Sequence, residues 1–283
     1  MKLSSLLGAI AFMALTPSLA LADGTAPNYG KCSPRGQAHS IEIKTVESDT
    51  LTVATVLPNP GWYNGVTPKS VEDGYEYCLA AEIAHRAGLK NLKLLNLAWD
   101  QYISGTAKGY DIATASTTIT EARKQIFDFT RPYFSSNLGV AVLKGAEVNA
   151  GNIRAKRIGV LQGNMGSDWV AGTLKPDSAV SFYQAQADMV AALMARQVDA
   201  IVSDTTLVLS ATAGSNGAIE VVGQYKMDQG YGVITPKGSD NSSTVDAAVG
   251  AMIDDGTLNE LSARFLAPIF KVDPNSVPVW QLQ

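Results

Sequence analysis

From residue 50 onward the chain alternates short β-branched apolar runs with stretches whose apolar residues recur every three or four positions. Residues 51–57 read as a strand that the Pro58-Asn59-Pro60-Gly61 cluster ends. Residues 73–87 place Leu79, Ala80, Ile83, Ala84 and Ala87 on one helical face, with Asp73 positioned to cap the start and Gly88 to take the left-handed closing position. A strand at 92–97, a short helix at 100–108 and a strand at 110–115 follow. The second half repeats this grammar: strand 157–161, helix 167–174, strand 180–183, an Ala-rich helix 184–197, strand 199–203, helix 206–213 and strand 219–222. Two helices, 243–254 and 258–266, close the chain. Such βαβ alternation predicts α/β architecture in two lobes, each a mostly parallel sheet flanked by helices. No Gly/Ser-rich or Pro-rich linker separates them, so strands must cross between lobes, with 138–143 and 231–235 as the candidates. The expected division is lobe 1 at 51–137 and 231–283, lobe 2 at 138–230, and an N-terminal arm at 23–50.

Residues 1–22 follow a different pattern. Met1 and Lys2 precede an apolar run over 3–15, and Ala20-Leu21-Ala22 supplies a small-x-small cleavage site. The run is shorter than the roughly 20 residues that span a bilayer, so it reads as a cleaved secretory signal and predicts an exported, periplasmic protein. Export puts both cysteines in an oxidising compartment. Cys32 in the arm and Cys78 in the first predicted helix either form a bridge or remain two free thiols, Cys78 packed in the core.

Composition narrows the functional classes. With 46% hydrophobic residues, 17% charged, 25 Gly and 12 Pro, the chain is neither disordered nor fibrous. A net charge of −4 without any basic run argues against a nucleic-acid partner and for a small molecule or another protein. His39 and His85 are the only histidines, too few alongside two cysteines for a usual zinc site. No nucleophile elbow and no phosphate-binding loop occur, and no cofactor is implied.

In open α/β sheets ligands bind beyond the carboxyl ends of the strands, so the residues after each strand carry the chemistry. After 110–115 comes Ser116-Thr117-Thr118-Ile119-Thr120-Glu121-Ala122-Arg123, where hydroxyls, helix-start N–H groups and a guanidinium all favour a carboxylate. Gln162-Gly163-Asn164 is a second donor loop, and Asp204 follows the strand 199–203 as an acceptor for an ammonium group. Together they suit a zwitterion. Each has a structural alternative: Thr120 as a helix cap, Arg123 in a surface ion pair with Glu121 or Asp128, Asp204 as the cap of the next helix.

The ordered series Gly74-Tyr75-Glu76-Tyr77-Cys78-Leu79-Ala80, Ala98-Trp99-Asp100, Tyr110-Asp111-Ile112, Thr118-Ile119-Thr120-Glu121-Ala122-Arg123, Phe127-Asp128-Phe129-Thr130 with Tyr133, Gly159-Val160-Leu161-Gln162-Gly163, Val198-Asp199-Ala200 through Asp204, and Asp255-Gly256-Thr257-Leu258 resembles the periplasmic polar amino acid binding proteins of ABC importers, the type II solute-binding family. The resemblance spans about residues 51–266. It implies a two-lobed type II periplasmic binding protein fold, a ligand held between the lobes, an ABC permease as partner and a monomeric state. Carried onto this chain, it implies that Arg123, Ser116 and Thr118 bind an α-carboxylate, that Asp204 binds an α-amino group and that Trp99 contacts the ligand side chain.

Three departures qualify the transfer. Asn164 stands where the family often has a Thr on the carboxylate, followed by Met165. The loop 56–63 lacks the family's acidic residue, which predicts a pocket poorly suited to a basic side chain and a neutral or aromatic ligand contacted by Trp62 and Tyr63; core packing is the equal alternative for these two aromatics. The arm has no family counterpart. A cyclohexadienyl-dehydratase-like enzyme on the same fold, using Glu76 or Asp204 as acid or base, and an accessory or sensory binding protein are the other functional readings.

Overall fold

The computed structural model describes residues 27–282; the predicted signal segment and residues 23–26 lie outside them. In chain order the elements are β1 (Thr50–Thr55), α1 (Tyr75–Arg86), β2 (Asn91–Asn96), α2 (Trp99–Ile103), β3 (Ile112–Ala113), α3 (Glu121–Lys124), β4 (Phe127–Phe129), β5 (Phe134–Ser135), β6 (Leu138–Leu143), β7 (Ile158–Leu161), α4 (Met165–Trp169), β8 (Ser181–Tyr183), α5 (Gln186–Met194), β9 (Ala200–Asp204), α6 (Thr205–Gly214), β10 (Ile219–Tyr225), β11 (Gly230–Tyr231), β12 (Ile234–Pro236), α7 (Ser242–Asp254), α8 (Thr257–Leu261) and α9 (Ala267–Phe270).

Two five-stranded sheets organise the chain, in the orders β2-β1-β3-β12-β4 and β10-β6-β9-β7-β8. We call the first sheet and its helices lobe 1, the second lobe 2. Each is mixed rather than mostly parallel. Three strands pair in parallel, β2-β1-β3 and β9-β7-β8, and the other two join antiparallel. The antiparallel strands are the ones that each crossover runs into. The two-stranded ladder β5–β11 lies between them, pairing Phe134 with Tyr231 and Ser135 with Gly230. The expected crossing strands, 138–143 and 231–235, are thus largely sheet strands, and the crossing itself is made by shorter segments.

Other elements are shorter than their patterns suggest. Helix α2 stops at Ile103, just before Gly105 turns the chain at φ +70°. Helix α4 continues as a wide π-type turn through Val170–Leu174, and a second such turn, Ser262–Leu266, joins α8 to α9. Gly88 takes the expected positive φ after α1, but Asp73 does not cap that helix: its Oδ1 accepts from Asn64 Nδ2 at 2.8 Å. Carbonyls do the capping. Tyr75 N donates to Gly61 O at 2.9 Å and Glu76 N to Trp62 O at 3.0 Å, satisfying N–H groups that have no partner within the helix. Gly74 permits the contact, because a Cβ there would lie 2.4 Å from Trp62 O. The start of α1 is thereby fixed on the loop after β1.

Cys32 and Cys78 form a disulfide with Cα atoms 5.4 Å apart, tying the arm to α1. Backbone contacts spread the attachment over the outer face of lobe 1: Lys31 N to Glu72 O, Ser40 N to Arg86 O and Asn28 N to Lys90 O. Two buried carboxylates hold the arm as well. Glu82 accepts from Arg35 N at 2.8 Å, Gly36 N at 2.7 Å and Arg86 Nε at 2.9 Å; Asp111 accepts from Val46 N and Thr52 N, both at 2.7 Å. At the other end the chain leaves lobe 1 and docks on lobe 2. Gln224 N donates to Pro278 O and Trp280 N to Gln224 O, both at 2.8 Å, so the tail lies along the free edge of β10, with the Trp280 ring edge-on to Tyr225.

Candidate functional site

The loops after β3 and β7 and the end of β9 converge where the two sheets face each other. Arg123 leaves α3 one turn after its cap, Thr120, whose hydroxyl accepts from Arg123 N at 3.1 Å. The Thr120 capping reading therefore holds. The proposed surface pair does not: Glu121 pairs with Lys124 and Asp128 with Lys237, while the Arg123 guanidinium is buried. Its Nη1 donates to Thr118 O at 2.7 Å, and its Nη2 reaches across to Gly163 O of lobe 2 at 2.8 Å. Burial lowers its pKa and the nearby Asp204 opposes that change; a guanidinium stays charged in either case.

Trp99 stacks on Tyr102 with rings 5.8 Å apart and 17° from parallel, and the Arg123 guanidinium lies 5.8 Å from the centre of its ring. Its Nε1 donates to Gln162 O of lobe 2 at 2.9 Å, a second contact from lobe to lobe. Ser116 adopts φ +50°, an uncommon conformation for a non-glycine residue, and its backbone N donates to Glu76 Oε1 at 2.7 Å. Its hydroxyl is 3.4 Å from Asn59 Nδ2. Thr118 pairs with Tyr231, which connects this loop to the crossover.

Asp204 faces these groups from lobe 2. It is the last residue of β9 and precedes α6, yet its side chain makes no capping bond. Oδ2 accepts from Asn164 Nδ2 at 3.0 Å, while Oδ1 is buried without a partner. Burial raises its pKa, against the contributions of Asn164, Tyr231 and Arg123. Asn164 is doubly engaged, since its Oδ1 also caps α4 by accepting from Gly166 N at 2.8 Å. A bare carboxylate oxygen thus sits opposite a buried guanidinium, each held by a different sheet. Burial of a charge without a full set of partners costs several kcal/mol, which a bound zwitterion would offset at both ends.

The described fold is matched from residue 51 to residue 268 by the family model for bacterial extracellular solute-binding proteins, family 3. The chain belongs to that family. Among curated family 3 relatives, it is 27% identical over 197 residues to the L-cystine-binding protein TcyJ of Escherichia coli K12, covering 68% of this chain and 73% of TcyJ. It is 25% identical over 276 residues to the octopine-binding periplasmic protein of Rhizobium meliloti, covering 80% and 92% of the two chains. An ancestral arginine-binding protein solved with arginine superposes with a TM-score of 0.68 at 26% identity, covering 77% of this chain and 98% of that one. The solute receptor for L-cysteine of Neisseria gonorrhoeae reaches 0.70 at 20% identity, a likeness of fold, covering 82% and 98%. This is the two-lobed fold of type II periplasmic binding proteins.

Within the family 3 fold, the chain brings Arg123, Ser116, Thr118 and Trp99 of lobe 1 together with Asn164 and Asp204 of lobe 2. Trp62 and Tyr63 are placed differently. Both are wholly enclosed in lobe 1, Trp62 edge-on to Tyr75, Phe134 and Tyr231, and Tyr63 with its hydroxyl against Thr114. These are core contacts. Met165 is partly exposed and leans on the core of lobe 2. Two tyrosines had no assigned role in the sequence reading: Tyr133, whose hydroxyl donates to Glu76 Oε1, and Tyr231, whose hydroxyl meets Thr206 of lobe 2 at 3.0 Å. Their hydroxyls lie far from their bonding partners in sequence, so periodicity carried no signal for either. Among the described residues no cluster of three or more His, Cys, Asp or Glu side chains could hold a metal ion.

Proposed function

We propose that this protein captures a free α-amino acid between its lobes and presents it to an ABC permease. The α-carboxylate lies against Arg123, assisted by the Ser116 and Thr118 loop, and the α-ammonium group meets Asp204 Oδ1. Trp99 and the Gln162–Asn164 loop close over the ligand. The observation carrying this reading is the opposed pair itself: a buried guanidinium on lobe 1 and a half-satisfied buried carboxylate on lobe 2. Relatives that bind cystine, glutamine and arginine by name support the same ligand class.

Because the poles belong to different lobes, a ligand touching both stabilises the closed arrangement over an open one. Charge-assisted bonds strengthen as closure excludes water. Asp204 acts here as a binding group, and no catalytic role is assigned to it or to Glu76. Periplasmic location and monomeric action belong to the same proposal.

The test is thermal unfolding of refolded, ligand-stripped protein against a panel of amino acids. A ligand at about 100 times its dissociation constant adds about 2.7 kcal/mol, enough for a shift of several degrees. A selective shift is expected. Wild-type affinity in both Arg123→Ala and Asp204→Ala would sink the clamp.

A further inference from the structure

Tyr231 belongs to lobe 1 by its ring and to lobe 2 by its hydroxyl. The ring, wholly buried, stacks on Phe134 with centres 5.9 Å apart and planes 19° from parallel, and stands edge-on to Trp62 at 5.7 Å. Both neighbours are fixed: Phe134 pairs with Tyr231 in the β5–β11 ladder, and Trp62 O accepts from the start of α1. The hydroxyl crosses to α6 and lies 3.0 Å from Thr206 Oγ1. Thr206 is two residues beyond Asp204, in the first turn of that helix.

In the Tyr231–Thr206 bond either oxygen can be the donor. A phenol has one hydrogen to give and lone pairs to receive another. With Thr206 donating, the phenolic hydrogen is free, and the neighbouring acceptor short of donors is the Asp204 carboxylate, whose Oδ1 is buried without a partner. Burial raises the pKa of both groups; beyond that, the phenol lowers that of Asp204 and Asp204 raises that of the phenol.

We propose that Tyr231 is a positioning residue for the ammonium pole, giving its phenolic hydrogen to the Asp204 carboxylate and so holding it in place as an anion for the ligand. This deepens the amino acid reading above and rests on it. Lobe 2 alone supplies one side-chain donor to Asp204, Asn164 Nδ2, and Asn164 is shared with the cap of α4. The backbone around Asp204 is tied to one of the two segments that join the lobes: Asp204 pairs with Leu138, and Thr205 N donates to Asn137 O at 2.7 Å. Tyr231 adds the other segment, so the pole is held from both.

The charged and titratable groups around Asp204 are Arg123 from α3 and Tyr231 from β11, with Tyr102 of α2 and Asp168 of α4 close to Arg123. Because burial raises the Asp204 carboxyl, the folded state holds its proton to higher pH than the unfolded chain does, and stability falls as pH rises through that window. Removing the phenolic donor raises the carboxyl further and deepens the fall.

The experiment compares Tyr231→Phe with its parent in wild-type and Asp204→Asn backgrounds. Phenylalanine keeps the ring contacts with Phe134 and Trp62 and removes the hydroxyl. In ligand-free protein, thermal midpoints should show Tyr231→Phe losing more stability at pH 8 than at pH 4, and this excess should vanish in the Asp204→Asn background. In calorimetric titrations with L-glutamine, L-arginine and L-cystine, the amino acid that wild type binds best should bind Tyr231→Phe about tenfold more weakly at pH 8, with a larger loss at pH 5.5, where the anion is harder to form. A stability loss equal at every pH and in both backgrounds would limit Tyr231 to packing and overturn the proposal. Unchanged affinity at both pH values overturns it too. If wild type binds none of the three amino acids, the clamp fails and the role in binding with it, whatever the midpoints show.

Discussion

Lobe 1 buries carboxylates on two faces, and they are treated in opposite ways. On the outer face Glu82 and Asp111 accept hydrogen bonds at both oxygens, mostly from arm backbone N–H groups. Behind the Ser116 loop Glu76 keeps one oxygen without a hydrogen-bond partner, as Asp204 does in lobe 2. All four carboxylates have little contact with solvent, and they differ in how many of their oxygens are satisfied. A saturated carboxylate is a fastener, because removing it orphans donors elsewhere. One left half-satisfied raises the energy of the folded protein, and at Asp204 the ammonium group of the proposed ligand would supply the missing donor.

The contrast can be broken by mutation, beginning with the largest effects. Replacing both Cys32 and Cys78 by Ser should cost about 4 kcal/mol of stability on chain-entropy grounds for a separation of 46 residues, with amino acid affinity unchanged. Denaturant midpoints and calorimetric titration check the two halves of that statement. Arg123→Ala should do the reverse, weakening binding by about 3 kcal/mol, over a hundredfold, with a smaller effect on folding. If both variants lost stability and affinity together, the two faces would not be separable.

Carboxylate-to-amide changes sharpen the point, because their signs should differ. Glu82→Gln should destabilise by about 2 kcal/mol, since an amide cannot accept at both ends. Glu76→Gln should stabilise the ligand-free protein by about 1–2 kcal/mol at pH 8. The pH dependence follows from the raised carboxyl. Between the unfolded value near 4.5 and the folded value of about 7, the folded state holds the extra proton, so stability falls as pH rises through that window. The ligand-free wild type should therefore unfold at lower temperature at pH 8 than at pH 5.5, and Glu76→Gln should flatten this component. Asp111→Asn should give the smallest loss, about 1 kcal/mol, read from the same midpoints with binding intact.

The sequence made some of this plain and hid the rest for physical reasons. Arg123 was legible because a hydroxyl-rich turn after a strand and a guanidinium one helical turn later need only local spacing. Asp204 was legible by position, though its strand runs one residue further than its pattern. The short β3 and the arrest of α2 at Ile103 follow from tertiary context and a single glycine, which periodicity weighs poorly. Glu76 looked like an ordinary acid in the first turn of a helix, where it complements the dipole. Its partners are 40 and 57 residues away, and no local pattern announces them. The sequence left cleft and core as equal alternatives for Trp62 and Tyr63, because the partners that enclose them, Phe134 and Tyr231 for Trp62 and Thr114 for Tyr63, are more than 50 residues away.

The tail on β10 gives the molecule one further property. The arm is riveted to lobe 1 and the tail is threaded along lobe 2, so the two ends of the described chain are anchored on different lobes. If the lobes close on the ligand as proposed, a donor dye in the arm and an acceptor dye in the tail would turn that closure into a colour change without altering a single cleft residue, making the protein the frame of an optical sensor for its ligand.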